Sequence, residues 1–179
     1  MILTLLNLYQ RFEESKALFD RYELSSDWFI DVYRSQPLEP ELYEYFSLPA
    51  IFVDYQLAGR GAKKPRLVTM TLHAVTDEMP DASNISMQRD SGLKRFLYHF
   101  AIQRMLEGKP LGRTTPLKFI SEGIIDAPVI NYHTQVYEFE AYPEDLAGTP
   151  EEIEYGMIEL IKLQGNLCNK LPKTIQEQV

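Results

Sequence analysis

Three histidines, His73, His99 and His133, are the side chains best suited to proton transfer or metal binding in this chain. A metal centre needs three or four converging ligands, and none of the three has a second His or Cys at ligand spacing. A structural role is the simpler expectation for each. Asp77, Glu78 and Asp81 form an acidic cluster that could hold a divalent cation. It lacks the alternating oxygen ligands and distal Glu of a calcium loop, so a solvated loop is expected instead. Glu138 and Glu140 stand two residues apart, as paired acids on one strand face of a hydrolase would. A hydrated outer strand face explains them more simply.

Two stretches invite a phosphate-binding reading. Gly59-Arg60-Gly61-Ala62-Lys63-Lys64 runs into Pro65, and Gly108-Lys109 runs into Pro110. A phosphate loop must open a helix and present a Ser or Thr hydroxyl to magnesium, and neither stretch does. Cys168 is the only cysteine. It excludes an intrachain disulfide, makes a cysteine-based metal site implausible and has no neighbouring His to activate it. No Ser, His and acid set declares itself. No catalytic residue, cofactor or metal is therefore assigned, and a non-enzymatic protein is expected.

The basic cluster Arg60, Lys63, Lys64 and Arg66 stands apart, because the chain as a whole carries a net charge of -8. Polar, Lys-rich tips also serve solubility alone. The functional alternative is a docking finger for an acidic partner surface, including another copy of this chain, since such patches steer encounter and register.

The elements that position these residues follow from hydrophobic period. The 179 residues, 45% of them hydrophobic, suit a single domain with a real core. The acidic balance disfavours a general nucleic-acid binder. The N-terminus lacks the basic start and cleavage site of a secretory signal, and no apolar run reaches the roughly 20 residues of a membrane span. A soluble chain that stays where it is made is the expectation.

Leu5, Leu8, Tyr9, Phe12, Phe19 and Tyr22 predict one amphipathic helix over residues 1–22. Residues 28–33 predict a first strand, and the Pro-bearing residues 35–47 a surface connection. Pro49 then opens an apolar run to Leu57, and a second run spans Leu67 to Val75 beyond the Gly-rich loop. These read as a long antiparallel hairpin with the basic cluster at its tip. A polar loop over 77–90 precedes a helix whose stripe is Leu93, Phe96, Leu97, Phe100, Ala101 and Met105, expected to cover one sheet face. Asp90 or Ser91 is its expected cap; Gly108 and Pro110 are its stop.

Residues 117–120 predict a short strand, and 129–142 a longer one with Tyr137, Phe139 and Ala141 facing the core. Thr149, Pro150 and Glu152 form a capping box for a last helix carrying Ile153, Met157, Leu160 and Ile161. Together these give an α+β fold: a mostly antiparallel sheet with a long β-hairpin, helices packed on one face and an extra C-terminal helix. The expected organisation is a 1–148 domain followed by 149–179, a helix and tail within that domain or an interaction extension.

The order of leading helix, strand, Pro49-Ala50-Ile51-Phe52-Val53-Asp54-Tyr55, glycine-rich tip and Val68-Thr69-Met70-Thr71-Leu72-His73-Ala74-Val75 resembles the tail terminator, or tail completion, proteins of tailed bacteriophages. A helix like Phe96-Leu97-Tyr98-His99-Phe100-Ala101-Ile102 and a strand like Val136-Tyr137-Glu138-Phe139-Glu140-Ala141-Tyr142 complete the likeness, which spans about residues 1–142. The residues from Thr149 depart from that compact pattern. The resemblance implies a virion protein made in the host cytoplasm, without catalysis or cofactor. It implies a ring, commonly of six copies, whose partners are the tail tube protein, the head-tail connector or adaptor, and genomic DNA passing through the lumen without specific binding. Another neck or head-tail adaptor ring, or a non-viral cytosolic binding or scaffolding domain, stays open as an alternative.

Overall fold

A computed structural model describes residues 1–39, 46–61, 63–77, 81–127 and 130–148. Its centre is a five-stranded sheet. The strands are β1 (Phe29–Val32), β2 (Ala50–Ala58), β3 (Arg66–Thr76), β4 (Lys118–Ile125) and β5 (Asn131–Ala141). Their spatial order is β1-β2-β3-β5-β4. Every pair is antiparallel except β1 with β2. β2 and β3 make the expected hairpin, in register from Ala50 opposite Val75 to Ala58 opposite Leu67. The helices are α1 (Ile2–Glu14), α2 (Lys16–Arg21), α3 (Arg89–Leu106) and the short α4 (Pro143–Ala147).

Strand alternation sorts the core into two layers. Ile51 and Val53 of β2, Val68, Met70, Leu72 and Ala74 of β3, and Tyr137, Phe139 and Ala141 of β5 project to one face. Leu8 and Phe12 of α1, Phe19 of α2, Tyr98, Ile102 and Met105 of α3 and Leu146 of α4 cover them. Each fully buried aliphatic side chain here stabilises the fold by about 1.5–3 kcal/mol. Trp28 ties the helices together: Phe12, Phe19 and Tyr98 pack around its rings at 5.6, 5.5 and 5.4 Å. A smaller cluster of Ala50, Phe52, Val75 and Tyr132 occupies the opposite face. The helices thus share one side of the sheet, and the α+β class holds.

Several boundaries differ from the sequence expectation. The predicted first helix is two helices: α1 ends at Ser15, whose N–H bonds to the Phe12 carbonyl, and α2 starts at once. The reorientation lets Phe12 and Phe19 stack at 6.1 Å, which one straight helix would prevent. α3 starts earlier than its stripe suggests. Its N-cap is Gln88 rather than Asp90 or Ser91, with no side-chain cap bond, and Asp90 instead lies in the first turn, where its charge suits the helix dipole. The expected stop at Gly108 holds. At φ +72 it takes a left-handed conformation that glycine tolerates, and its N–H bonds to the Leu117 carbonyl.

β4 runs five residues past the short strand expected at 117–120, because β5 offers a full antiparallel partner up to Tyr132. Ile120 is the extra residue where the register shifts between Phe119 and Ser121. The helix expected after Thr149 lies outside the described residues, as does Cys168.

Candidate functional site

The three histidines separate into two structural settings. His73, on β3, faces the smaller cluster. Its Nδ1 is 2.7 Å from the Tyr132 hydroxyl, and its ring stacks on Tyr33 at 3.9 Å. Burial lowers its pKa, and nearby Asp54 opposes that only in part.

His99 of α3 and His133 of β5 meet under the helix layer, their rings stacked at 3.2 Å and 10° apart. Burial, the neighbouring His133 and the Arg95 guanidinium drop the His99 pKa to about 3. His133 is also lowered, chiefly by burial, although Glu122 lies 3.5 Å from its Nε2. Gln135 knits the group together. Its amide donates to the His99 carbonyl at 2.9 Å and to Glu122 at 3.2 Å, and its own oxygen accepts from the Tyr137 hydroxyl at 3.0 Å. Two neutral imidazoles held face to face pin α3 to β5. Among the described residues no three His, Cys, Asp or Glu side chains converge to hold a metal ion.

The other chemical candidates disperse. Asp81 accepts the Ser83 N–H at 3.1 Å, a local turn contact that lowers its pKa; Glu78 lies outside the described residues. Glu140 pairs with Arg60 across the sheet, whereas Glu138 lies opposite Thr69 and Lys118. Gly59 to Gly61, with Lys63 and Lys64, stand at the hairpin tip, and Gly108-Lys109 follows the end of α3 rather than opening a helix.

Of the four basic residues expected to dock a partner, Arg60 is therefore engaged within its own chain. Lys63, Lys64 and Arg66 remain exposed at the tip. Lys63 carries a positive φ of 62°, which turns the chain back towards β3.

A larger surface was misread from the sequence. Of the stripe expected to cover the sheet, only Ala101 and Met105 do so. Leu93, Phe96, Leu97 and Phe100 point to solvent, 37–48% exposed. The residues that reach the core are Tyr98, His99, Ala101, Ile102, Met105 and Leu106. α3 is thus apolar on two faces. The outward one repeats at i, i+3, i+4 and i+7, the spacing of a helix that docks against something.

That stripe leads to the edge of the sheet. Phe96 meets His99 edge-on at 6.2 Å, His99 stacks on His133, and His133 lies opposite Ile124 of β4. Ile124 is 59% exposed, and β4 has only β5 beside it among the described strands. The opposite side of the sheet is open in part as well. β1 pairs with Ala50 to Val53 alone, so, among the described residues, 54–58 of β2 have a strand partner on one side only. From Tyr55 onward their side chains are exposed.

Single apolar residues on a surface are ordinary, but a contiguous patch beside an open strand marks an interaction site. No helix among the described residues is long and apolar enough to cross a membrane. No family model matches this chain, and no curated protein matches it in sequence.

Proposed function

We propose that this protein is a structural, non-catalytic ring component of a tailed bacteriophage head-tail junction, of the tail terminator kind. It would end the tail tube and join it to the connector while DNA passes through the lumen. The observation that carries this reading is the exposed stripe Leu93, Phe96, Leu97 and Phe100 of α3, together with a strand, β4, that has one neighbour among the described strands. A chain with that surface gains by assembling, because association removes apolar area from water and covers a strand that would otherwise template aggregation.

The order of helix, hairpin, helix and strand that carries the phage resemblance supports the same reading. So does charge: an acidic wall lets DNA slide, because contacts that neutralise phosphates slow its passage. In this arrangement Lys63 and Lys64 face a protein neighbour rather than the channel axis.

The test is the mass of the purified chain in solution, with negative-stain imaging, alone and with the tail tube protein of its own virus. A ring with a central hole near the width of a DNA duplex is the expected result. A chain that stays monomeric at high concentration and caps no tubes overturns the proposal.

A further inference from the structure

The two open stretches of the sheet are at its opposite sides and match each other. Beyond the bulge at Ile120, residues 121–125 of β4 form a regular ladder with β5 and, among the described residues, have no strand on the outer side. Residues 54–58 of β2, beyond the reach of β1, are five residues with no strand on their outer side among the described residues. Each stretch is about 17 Å long. β2, β3, β5 and β4 alternate in direction across the sheet, so β4 runs antiparallel to β2. A second copy placed beside the first in the same orientation therefore presents its β2 to β4 in antiparallel fashion.

The faces agree as well. Tyr55 and Leu57 alternate in step with Ile51 and Val53, which puts them on the helix-bearing face, and they are 38% and 41% exposed. Ile124 and the Phe96 flank of α3 lie on that same face at the other side of the sheet. Continuing the sheet from one copy to the next brings these apolar groups together without turning either copy over.

We propose that residues 54–58 of β2 in one copy pair with residues 121–125 of β4 in the next, with Tyr55 settling against Ile124 and the Phe96 flank and Leu57 lying beside the stem of Glu122. The contact is heterologous: each copy gives one surface and receives another, so repetition closes a ring or runs on as a filament. A two-fold pairing of β4 with β4 would leave the β2 stretch open in both copies. Head-to-tail pairing covers both of these stretches in every copy once the ring closes. This deepens the ring reading above and rests on it only for the identity of the partner.

Two exposed positions on the face away from the helices, Gln56 on β2 and Ser121 on β4, allow a direct test. Gln56→Cys and Ser121→Cys are made separately and together in a Cys168→Ser background, and the concentrated proteins are treated with a short bifunctional maleimide. The expected result is covalent dimers from a mixture of the two single variants and a ladder of multimers from the double variant. Each single variant alone should stay monomeric on a denaturing gel. Dimers from Ser121→Cys alone, with none specific to the mixture, overturn the proposal in favour of two-fold pairing. A native ring whose mixed variants do not cross-link also overturns it, while leaving the ring reading in place. A ladder without any closed ring supports the strand pairing and counts against the ring. The absence of both ladder and assembly overturns both.

Discussion

Replacing His99 by Phe should make the protein progressively more acid-tolerant relative to wild type. The cause is the imidazole pair between α3 and β5. In the folded chain His99 is almost fully buried against His133, with Arg95 nearby, and its pKa falls from 6.5 to about 3. A group that titrates lower when folded contributes no pH dependence above its unfolded value. As pH falls below about 6.5 the unfolded chain takes up the proton and the folded one does not, so stability is lost with acid until the folded pKa is reached. The size follows from linkage. At about pH 5.5 the unfolded His99 gains about 1.4 kcal/mol, and at about pH 5.0 about 2 kcal/mol. Both conditions lie well above 3, so the exact folded value hardly matters.

A phenyl ring keeps the stack on His133 and removes the proton site. Urea unfolding of wild type and His99→Phe from about pH 7.5 to about pH 5 reads the difference directly. Low protein concentration is needed, because the sequence pI of 4.9 brings net charge near zero at the acid end. Carboxylates titrate in both proteins and cancel. The groups facing His99, namely His133 and Arg95, and Glu122 behind His133, are present in both. The stability gap should move in favour of the variant by about 2 kcal/mol over that range. A gap that stays constant with pH would show that His99 is not held neutral in the fold.

Ile51→Ala and Leu72→Ala, both fully buried between sheet and helices, should each cost about 2–5 kcal/mol in urea unfolding. Phe96→Ser combined with Phe100→Ser should change the unfolding midpoint little, as both rings are about half exposed, yet lower self-association in sedimentation velocity. Gly148→Ala should destabilise by about 1 kcal/mol or more, because φ is +78 there and an added Cβ would lie 2.6 Å from Leu3 Cγ. Lys63→Glu with Lys64→Glu should leave unfolding unchanged, as both side chains are exposed at the tip, but impair particle assembly; normal infectious particles would refute a docking role for the tip.

The hairpin was legible because its signals agree at every level. β-branched and aromatic residues alternate on both sides of a Gly- and Pro-bearing turn, and the structure pairs Ala50 with Val75 through Ala58 with Leu67. β5 was legible for the same reason: the period-2 placement of Tyr137, Phe139 and Ala141 is the buried one. The break at Ser15 was hidden. Leu5 to Tyr22 keeps helical spacing through it, and only the tertiary need to wrap Trp28 bends the chain there. The role of the histidines was half visible. Lone imidazoles suggest structure rather than ligation, but that His99 and His133 face each other depends on where α3 crosses β5, which no local spacing encodes.

α3 teaches the most about function, because, of the stripe read from its spacing, only Ala101 and Met105 turn inward, while Leu93, Phe96, Leu97 and Phe100 face outward. A helix with one apolar stripe must turn it inward; a helix with two leaves the choice to packing. Here Tyr98 and Ile102 fit against Trp28 and the sheet, and His99 against His133, so Leu93, Phe96, Leu97 and Phe100 are left outside. An acidic chain avoids association in general through its charge, yet it keeps four large apolar side chains in a line on the outer face of α3. Solubility alone would favour polar residues at those positions, since none of the four is needed to fill the core. In the ring proposed above, that surface is exposed in the single chain and covered in the assembly.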